Sequence, residues 1–317
     1  MKNIPIADAL MIAEKLSFDA LIIQLEQAFT DASITTPARH HHDYPNPKEE
    51  IDSTLLLMPS WMSGSHLGVK LVTVSPNNQQ YHLPSIQGLY VLFDAVKGTP
   101  LMLLDAKELT ARRTAASSAL ASSFLSRVDS ETLLMIGTGT LAPYLIAAHA
   151  TVRRYKKILI WGRNRDKAQA ICDTLNPKMD VQITRVEDLE KGIKQADVVS
   201  CATLSATPLI LGAWLKPGQH IDLVGAYKPD MREADDDLML KSKIYVDTPM
   251  ALKETGDLLI PMTKGILDSN DIRGDLFQLC QKTREGREKK EDITVFKSVG
   301  HALEDLVAAK MVHDAHC

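Results

Sequence analysis

Two glycines directly after an apolar run carry the strongest chemical signal in this chain. Leu133 to Ile136 has the composition of a buried strand, Gly137 and Gly139 follow it, and apolar residues then recur at helical spacing. A strand, a glycine turn and a helix together present backbone N–H groups and a helix N-terminus to a pyrophosphate. Ala142 stands where a third small residue lets the helix pack on the strand. The pattern predicts a dinucleotide-binding turn.

The residues after the next predicted strand indicate which dinucleotide binds. An NAD site has an Asp or Glu there to bond the ribose 2′-hydroxyl, whereas this strand ends in Gly162-Arg163-Asn164-Arg165, and Asp166 comes late. Arg163 can instead pair with a 2′-phosphate as a bidentate fork. We therefore expect NADPH, with NADH as the alternative. If Arg163 and Arg165 were only solvated loop charges, the missing acid would stay unexplained.

The alternation of elements after residue 131 predicts the framework that positions this turn. Strands and helices alternate, which is typical of a parallel sheet covered by helices, an α/β doubly wound fold. Six strands are predicted, at 132–136, 157–161, 181–185, 196–201, 220–225 and 242–247. They run into Gly, Ser, Thr and Ala, as ligand-facing carboxyl ends should.

The chain before residue 130 is organised differently. Four strand signals with turn residues between them predict an antiparallel or mixed sheet, at Ser53–Met58, Leu67–Val74, Gly88–Asp94 and Leu101–Leu104. An amphipathic helix is predicted from Ser17 to Phe29. Residues 31–50 are polar and contain three prolines, so His40 to His42 are expected in a loop. Another helix is predicted at 108–127, and a last one from Gly300 to His313.

Composition excludes several classes of function. The 317 residues are enough for two domains, and the net charge of -4 argues against a nucleic acid or an anionic membrane as partner. No run approaches the ~18 apolar residues of a membrane span, and the N-terminus lacks a signal peptide's apolar core. The cysteines have neither metal nor disulfide spacing: Cys172, Cys201, Cys280 and Cys317. We expect a cytoplasmic protein without a metal site.

Several segments, taken together and in order, resemble the ornithine cyclodeaminase/mu-crystallin family. They are Leu109–Ala116, Ile136–Gly139, Ile160–Arg163, Trp214–Ile221, Val224–Glu233, Ala251–Asp257 and Val295–Gly300 with Ala302–Asp305. The resemblance implies a Rossmann domain, residues 116–297, and an N-terminal α+β substrate and dimerisation domain, residues 1–115, completed by the C-terminal helix within 298–317. It also implies a homodimer whose first domains pair.

The resemblance also implies the site residues. Arg39, Lys70 and Arg113 would face the substrate carboxylate or imine. With the glycine turn and the arginine loop, the predicted cofactor set is Ser85, Arg113, Thr114, Gly137, Gly139, Thr140, Leu141, Arg163, Asn164, Arg165, Thr203, Val224 and Val299. Val299 would lie near the nicotinamide.

At Tyr227 the sequence differs from the cyclodeaminases of the family, and this difference indicates which of the family's reactions to expect. The cyclodeaminases have an Asp at this place, where it handles the substrate amine, whereas a Tyr with its pKa of ~10 cannot be an anionic partner of an ammonium at neutral pH. We therefore expect NADPH-dependent reduction of a cyclic imino acid: Δ1-pyrroline-2-carboxylate to L-proline, or the six-membered Δ1-piperideine-2-carboxylate to L-pipecolate. Tyr227 would donate a hydrogen bond or fill space beside the substrate. A proton from Lys70 would activate the imine.

Alternatives remain at several points. The protein could be an ornithine cyclodeaminase, an alanine-type amino-acid dehydrogenase, or a crystallin-like protein that binds NADPH without turnover. A mid-strand Lys such as Lys70 is usually solvent-facing, and Arg113 could form a structural ion pair with Asp105 or Glu108. His301 is expected at a helix start, with a proton-relay role less favoured.

Overall fold

The computed structural model describes residues 4–31 and 33–316, and the chain divides into two compact units. The first contains residues 1–114 and 301–317, and the second contains residues 115–300. Predictions that concern the first three residues or Cys317 lie outside the described residues. Within the described ranges, no helix is both long enough and apolar enough to span a membrane.

The first unit is built on a seven-stranded sheet. Its strands are β1 (Ile6–Ala7), β2 (Ile34–Thr35), β3 (His40–Tyr44), β4 (Ser53–Met62), β5 (His66–Val74), β6 (Ile86–Asp94) and β7 (Pro100–Asp105). Strands β4 to β7 form an antiparallel meander, and β1 pairs with β7 in parallel. The predicted mixed sheet is therefore confirmed.

Three helices accompany these strands: α1 (Ala9–Lys15), α2 (Phe18–Thr30) and α3 (Ala106–Leu125). The amphipathic helix predicted from Ser17 is α2, whose first turn is capped because the Ser17 hydroxyl accepts a hydrogen bond from the Ala20 N–H. Leu21, Leu25 and Phe29 on its apolar face are fully buried. The helix predicted at 108–127 is α3, which begins two residues earlier, at Ala106, and ends at Leu125.

Two expectations for this unit are wrong. His40 to His42 lie not in a loop but in the exposed strand β3, which pairs with β4 from Ser53 to Leu57. Strand β4 does not end at Pro59 but continues to Met62. The proline is tolerated because it lies between the segments paired with β3 and with β2, where β4 has β5 as its only partner strand among the described residues.

The second unit is an eight-stranded, wholly parallel sheet. Its strands are β8 (Thr132–Ile136), β9 (Lys157–Trp161), β10 (Gln182–Arg185), β11 (Val198–Cys201), β12 (His220–Leu223), β13 (Lys243–Val246), β14 (Ile272–Asp275) and β15 (Thr294–Lys297). Their order is β10-β9-β8-β11-β12-β15-β13-β14. The predicted doubly wound α/β fold is confirmed, but β14 and β15 were not among the predicted strands.

Helices connect these strands: α4 (Leu141–Val152), α5 (Arg165–Leu175), α6 (Leu189–Gln195), α7 (Asp236–Lys241), α8 (Ala251–Glu254), α9 (Gly256–Thr263) and α10 (Leu276–Cys280). The core between strands and helices is aliphatic, with Leu134, Val199 and Ile221 fully buried at its centre. Cys172 and Cys201 are buried free thiols. In strand order, β9 and β10 lie on one side of β8 and β11 on the other, so the sheet has its switch point between β8 and β11.

The last helix, α11 (Ala302–Asp314), belongs to the first unit. It packs on strands β4 to β7 and on α2. Its apolar residues Leu303 and Leu306 are buried as predicted, but so are Glu304 and Asp305. Two adjacent acids inside a buried helix require partners, because an unpaired buried charge is strongly destabilising.

Candidate active site

Lys70 lies in the interior of the first unit. Alternation along β5 turns Gly68, Lys70 and Val72 to the buried side, and Lys70 is only 3% exposed. Its ammonium Nζ lies 2.8 Å from Asp305 Oδ2, donates to Asp305 Oδ1 at 3.1 Å, and donates to the Thr110 hydroxyl at 3.3 Å. The reading of Lys70 as a solvent-facing mid-strand residue is therefore wrong.

The surroundings of Lys70 make it a weaker base than an ordinary lysine. Burial and the nearby Arg113 guanidinium lower the pKa of Lys70 to about 8, although the Asp305 carboxylate opposes this shift. Burial alone would raise the pKa of Asp305, but Arg113 and Lys70 hold it below its usual range. At neutral pH the pair is thus an ammonium and a carboxylate, with the ammonium closer to losing its proton than usual.

Arg113 pairs with two acids of α11, one of which is the Asp305 that also holds Lys70. Its Nη1 donates to Glu304 at 2.6 Å and its Nε donates to Asp305 at 3.0 Å, and the residue is 5% exposed. The predicted alternative, a structural pair with Asp105 or Glu108, names the wrong acids. The Glu108 carboxylate lies 2.7 Å from Nε of Arg112, and the Asp105 carboxylate accepts a hydrogen bond from the Glu108 N–H.

Arg39 and His301 complete this group of charged and polar side chains. Arg39 is half-buried, and its charge contributes to lowering the pKa of both Lys70 and His301. His301 is the N-cap residue of α11, as expected, and its Nε2 lies 3.1 Å from the Thr36 hydroxyl. Burial, then Arg39 and Arg113, lower the pKa of His301 to about 4, so its imidazole is neutral at pH 7. A proton relay through an imidazolium is not favoured.

Tyr90 forms a rigid neighbour of Lys70. The two residues are cross-strand partners, and the Tyr90 ring is fully buried over Gly68, where a Cβ would lie 1.9 Å from the phenol oxygen. Burial and the Asp305 carboxylate raise the pKa of Tyr90 far above its usual range, so the phenol stays neutral. Gly68 is therefore required for the close packing beside Lys70.

In the second unit, the glycine turn has the geometry that the sequence predicts. Gly137 has φ of +113°, and a Cβ there would lie 2.5 Å from the Ala202 carbonyl oxygen. By contrast, no atom lies within 4 Å of a Cβ built at Gly139. Thr140, the N-cap residue of α4, gives no side-chain hydrogen bond to the first turn of the helix. The backbone from Gly139 into α4 thus has the open space and uncapped helix N-terminus that fit a pyrophosphate.

The three residues 163–165 after β9, which were predicted to bind the cofactor, differ in their contacts. Asn164 caps α5 by accepting from the Lys167 N–H, and Arg165 pairs with Glu187 at 2.8 Å. Arg163 is exposed and makes no ion pair with any residue in the described ranges. Of the three, Arg163 is the side chain that can turn to an anionic ligand.

The other predicted cofactor residues fall into two places. Thr203, Val224 and Val299 follow the carboxyl ends of β11, β12 and β15 in the second unit. Ser85 and Thr114 belong to the first unit, where the Ser85 hydroxyl lies 3.4 Å from the Pro76 carbonyl oxygen.

Tyr227 follows β12 in the second unit and is 36% exposed. The ammonium of Lys228 lies 5.9 Å from the centre of its ring.

The sequence did not identify the acids that hold these groups. Glu304 and Asp305 pair with the cations of the first unit, and Glu233, Asp257 and Asp247 bond the strand-end loops of the second. All but Asp247 fall within segments that carry the family resemblance, which was the signal available.

One group of potential metal ligands occurs among residues 4–31 and 33–316, at His66, His313 and Asp314. The ammonium of Lys310 pairs with the Asp314 carboxylate.

Similarity to known proteins extends over nearly the whole chain. A model of the ornithine cyclodeaminase/mu-crystallin family matches residues 3–317. The Delta(1)-pyrroline-2-carboxylate reductase of Colwellia psychrerythraea is 37% identical over 310 residues, covering 97% of this chain and 98% of that protein.

Two solved structures agree over nearly the whole chain. The Delta(1)-pyrroline-2-carboxylate reductase of Thermococcus litoralis, in complex with NADH and L-proline, is 31% identical with a TM-score of 0.92, covering 98% of this chain and 97% of that one. An archaeal alanine dehydrogenase dimer with bound NAD is 25% identical with a TM-score of 0.90, covering 98% and 95%. The predicted family and enzyme class, an oxidoreductase that uses a nicotinamide cofactor, are confirmed.

Proposed function

Because the chain belongs to the ornithine cyclodeaminase/mu-crystallin family, we propose that it reduces Δ1-pyrroline-2-carboxylate to L-proline with a nicotinamide cofactor. The observation that carries the proposal is the buried Lys70, held by Asp305 beside Arg113. A reductase of this kind needs a proton donor and a cationic carboxylate site close together, and this group of side chains supplies both. The relatives named for the same reaction support the choice of substrate.

Arg113 and Arg39 would bind the substrate carboxylate. A guanidinium presents planar N–H donors that match a carboxylate, and two cations fix its orientation better than one. Glu304 and Asp305 hold Arg113 in one orientation. Because the Arg113 side chain is already ordered, it loses less conformational entropy when the substrate binds, and the substrate is held in one orientation for the reaction.

Lys70 would donate the proton to the imine nitrogen. An imine accepts hydride much better once it is protonated, and a donor with a pKa near the working pH transfers its proton most effectively. With a pKa of about 8, Lys70 is largely protonated at pH 7 and is a stronger acid than an ordinary lysine. The new C–H bond forms at C2, the ring nitrogen keeps the proton from Lys70, and Lys70 is then reprotonated from solvent.

The glycine turn would hold the cofactor. A bound nicotinamide supplies the hydride. The space beside Gly139 and the uncapped N-terminus of α4 suit the pyrophosphate, and Arg163 suits a 2′-phosphate. We propose NADPH as the preferred cofactor on this last feature, while the relatives with solved structures contain NADH or NAD.

Tyr227 is the feature that favours reduction over cyclodeamination. The tyrosine that follows β12 offers no carboxylate to pair with a substrate ammonium, and the cation of Lys228 lies 5.9 Å from its ring. An ornithine cyclodeaminase or an alanine-type dehydrogenase is the second candidate, supported by the likeness to the archaeal alanine dehydrogenase. The six-membered imine, which would give L-pipecolate, is the second candidate substrate.

We also infer a homodimer that pairs the outer sheet faces of two first units. On the face of β5 and β6 opposite to Lys70, the register brings Leu71 and Leu89 together, and these side chains are 37% and 47% exposed. Val69 and Val91 continue the apolar face one pair further on. A continuous apolar sheet face of this kind is typical of a protein interface, and a second copy with the same face is its simplest partner.

One assay separates these candidates. The protein is incubated with each of the two cyclic imines and with either NADPH or NADH, and cofactor oxidation is followed. In parallel it is incubated with L-ornithine and NAD+, and ammonia release is measured. We expect cofactor oxidation with the five-membered imine and no ornithine-dependent ammonia. Formation of proline from ornithine without added imine would refute the reductase proposal.

A further inference from the structure

Glu233 joins the carboxyl ends of two neighbouring strands of the second unit. Its Oε1 accepts hydrogen bonds from the Thr203 N–H at 2.7 Å and from the Thr203 hydroxyl at 2.9 Å, just after β11. Its Oε2 accepts from the N–H groups of Gly225 at 2.8 Å and Ala226 at 3.1 Å, just after β12. Glu233 is fully buried, so one carboxylate fixes both loops without competition from water.

Two further buried charges hold Glu233 in place. The Asp257 carboxylate accepts from the N–H groups of Glu233 at 2.8 Å and Ala234 at 3.1 Å. The ammonium of Lys297, at the end of β15, lies 3.2 Å from Asp257 and 3.9 Å from Glu233. All three charged residues are fully buried. The carboxylates would be costly to bury without this cation, and with it the ends of β11, β12 and β15 are joined.

The loop that Glu233 fixes lies against the glycine turn. A Cβ at Gly137 would lie 2.5 Å from the Ala202 carbonyl oxygen and 3.3 Å from the Thr203 methyl group. On the other side, a Cβ at Gly225 would lie 2.0 Å from the Thr203 carbonyl oxygen. Residues 202–203 are thus packed between two glycines at the switch point of the sheet, where doubly wound folds bind their dinucleotide. A small displacement of Thr203 would therefore change the shape of the crevice.

We propose that Glu233 is a positioning residue for the dinucleotide, acting through Thr203 and the 225–226 backbone, with Asp257 and Lys297 as its supports. The inference rests on the proposed nicotinamide site in this unit, but not on the identity of the imino-acid substrate. Glu233 holds the loops that must receive the cofactor.

The test compares Glu233→Gln with a matched variant at the opposite end of β11. Both oxygens of Glu233 accept from N–H groups, so an amide must turn its NH2 toward backbone donors and displace one loop. Asp197 makes equivalent bonds at the amino end, accepting from the N–H groups of Glu131 at 2.9 Å and Thr132 at 3.0 Å. Asp197→Asn therefore disturbs a similar carboxylate–backbone contact away from the crevice.

NADH binding without substrate is measured by fluorescence titration, alongside thermal unfolding. We expect both variants to unfold at lower temperature, but only Glu233→Gln to raise the Kd for NADH, by about tenfold, which equals about 1.4 kcal/mol. Because no substrate is present, absence of imine reduction would not affect the result. A Kd unchanged in Glu233→Gln, or raised equally in Asp197→Asn, would overturn the proposal.

Thr203→Val is the second variant, used if Glu233→Gln does not fold. It removes the hydroxyl donor of Thr203 to Glu233 and keeps the backbone N–H, so it is the milder change. A weaker NADH affinity in this variant supports the proposal, and wild-type affinity refutes it.

Discussion

Replacement of Asp305 by Asn should move the pH dependence of the reaction. The substitution keeps the size of the side chain but removes the negative charge 2.8 Å from Lys70 Nζ and 3.0 Å from Arg113 Nε. Asp305 raises the pKa of Lys70, while burial and Arg113 lower it, and the balance is about 8. The proposed reaction needs the ammonium, so the rate falls as pH rises through this pKa. Without Asp305 the fall must begin at a lower pH.

The size of the shift follows from the closeness of the charges. An adjacent opposite charge moves a pKa by about one to three units, so the alkaline limb of kcat/KM should move down by about that many pH units. At pH 7 the protonated fraction of Lys70 would then fall from about nine-tenths to between about one-half and one-hundredth, which is a loss of about two- to ninetyfold in rate. Lowering the pH should restore most of the lost activity.

The assay is a pH profile of imine-dependent NADH oxidation for the wild type and the variant. Glu304→Gln is the matched control, because it removes a buried carboxylate that pairs with Arg113 at 2.6 Å. We expect a smaller shift of the alkaline limb in the control. If Asp305→Asn lowers activity equally at every pH and leaves the limb in place, Lys70 is not the group that donates the proton.

Four further substitutions test other parts of the structure. Gly139→Ala should fold normally and bind NADH weakly, since its methyl group would enter the open space that we propose for the pyrophosphate, whereas Gly137→Ala should also destabilise the fold through its clash with Ala202. Thermal unfolding and NADH titration distinguish the two, and tight binding by Gly139→Ala would contradict the proposed turn. Arg163→Ala should raise KM for NADPH several-fold and leave KM for NADH unchanged, and equal effects on both would remove the argument for NADPH. Leu71→Asp should convert the inferred dimer to a monomer in sedimentation, and an unchanged mass would exclude this sheet face as the interface.

The parts of the fold that were predictable from sequence have strong local signals. The glycine turn and the alternation of strands with helices depend on residues close together in the chain, so both were predicted correctly. Strands β14 and β15 were not, because charged residues mask their apolar pattern: β14 contains Arg273 and Asp275, and β15 follows the charged run at 284–292. Their place in the sheet is fixed by pairing with β13 and β12, which no local pattern records.

The burial of Lys70 could not be predicted from its neighbours in the chain. Val69 and Leu71 are compatible with either face of a sheet, and the acid that makes burial tolerable, Asp305, lies 235 residues further along. The same holds for Arg113, whose partner Glu304 is 191 residues away. The resemblance to the family identified the cations, but the structure was needed to identify the carboxylates that hold them.

The most direct test of the proposed reaction follows the hydride itself. The protein is incubated with Δ1-pyrroline-2-carboxylate and NADH that carries deuterium on the transferred position of C4, and the product is analysed by mass spectrometry and NMR. Direct reduction of the imine predicts L-proline with one deuterium at C2, formed in equal amount to the cofactor oxidised. Proline without deuterium at C2, or no proline while ornithine is consumed, would contradict it.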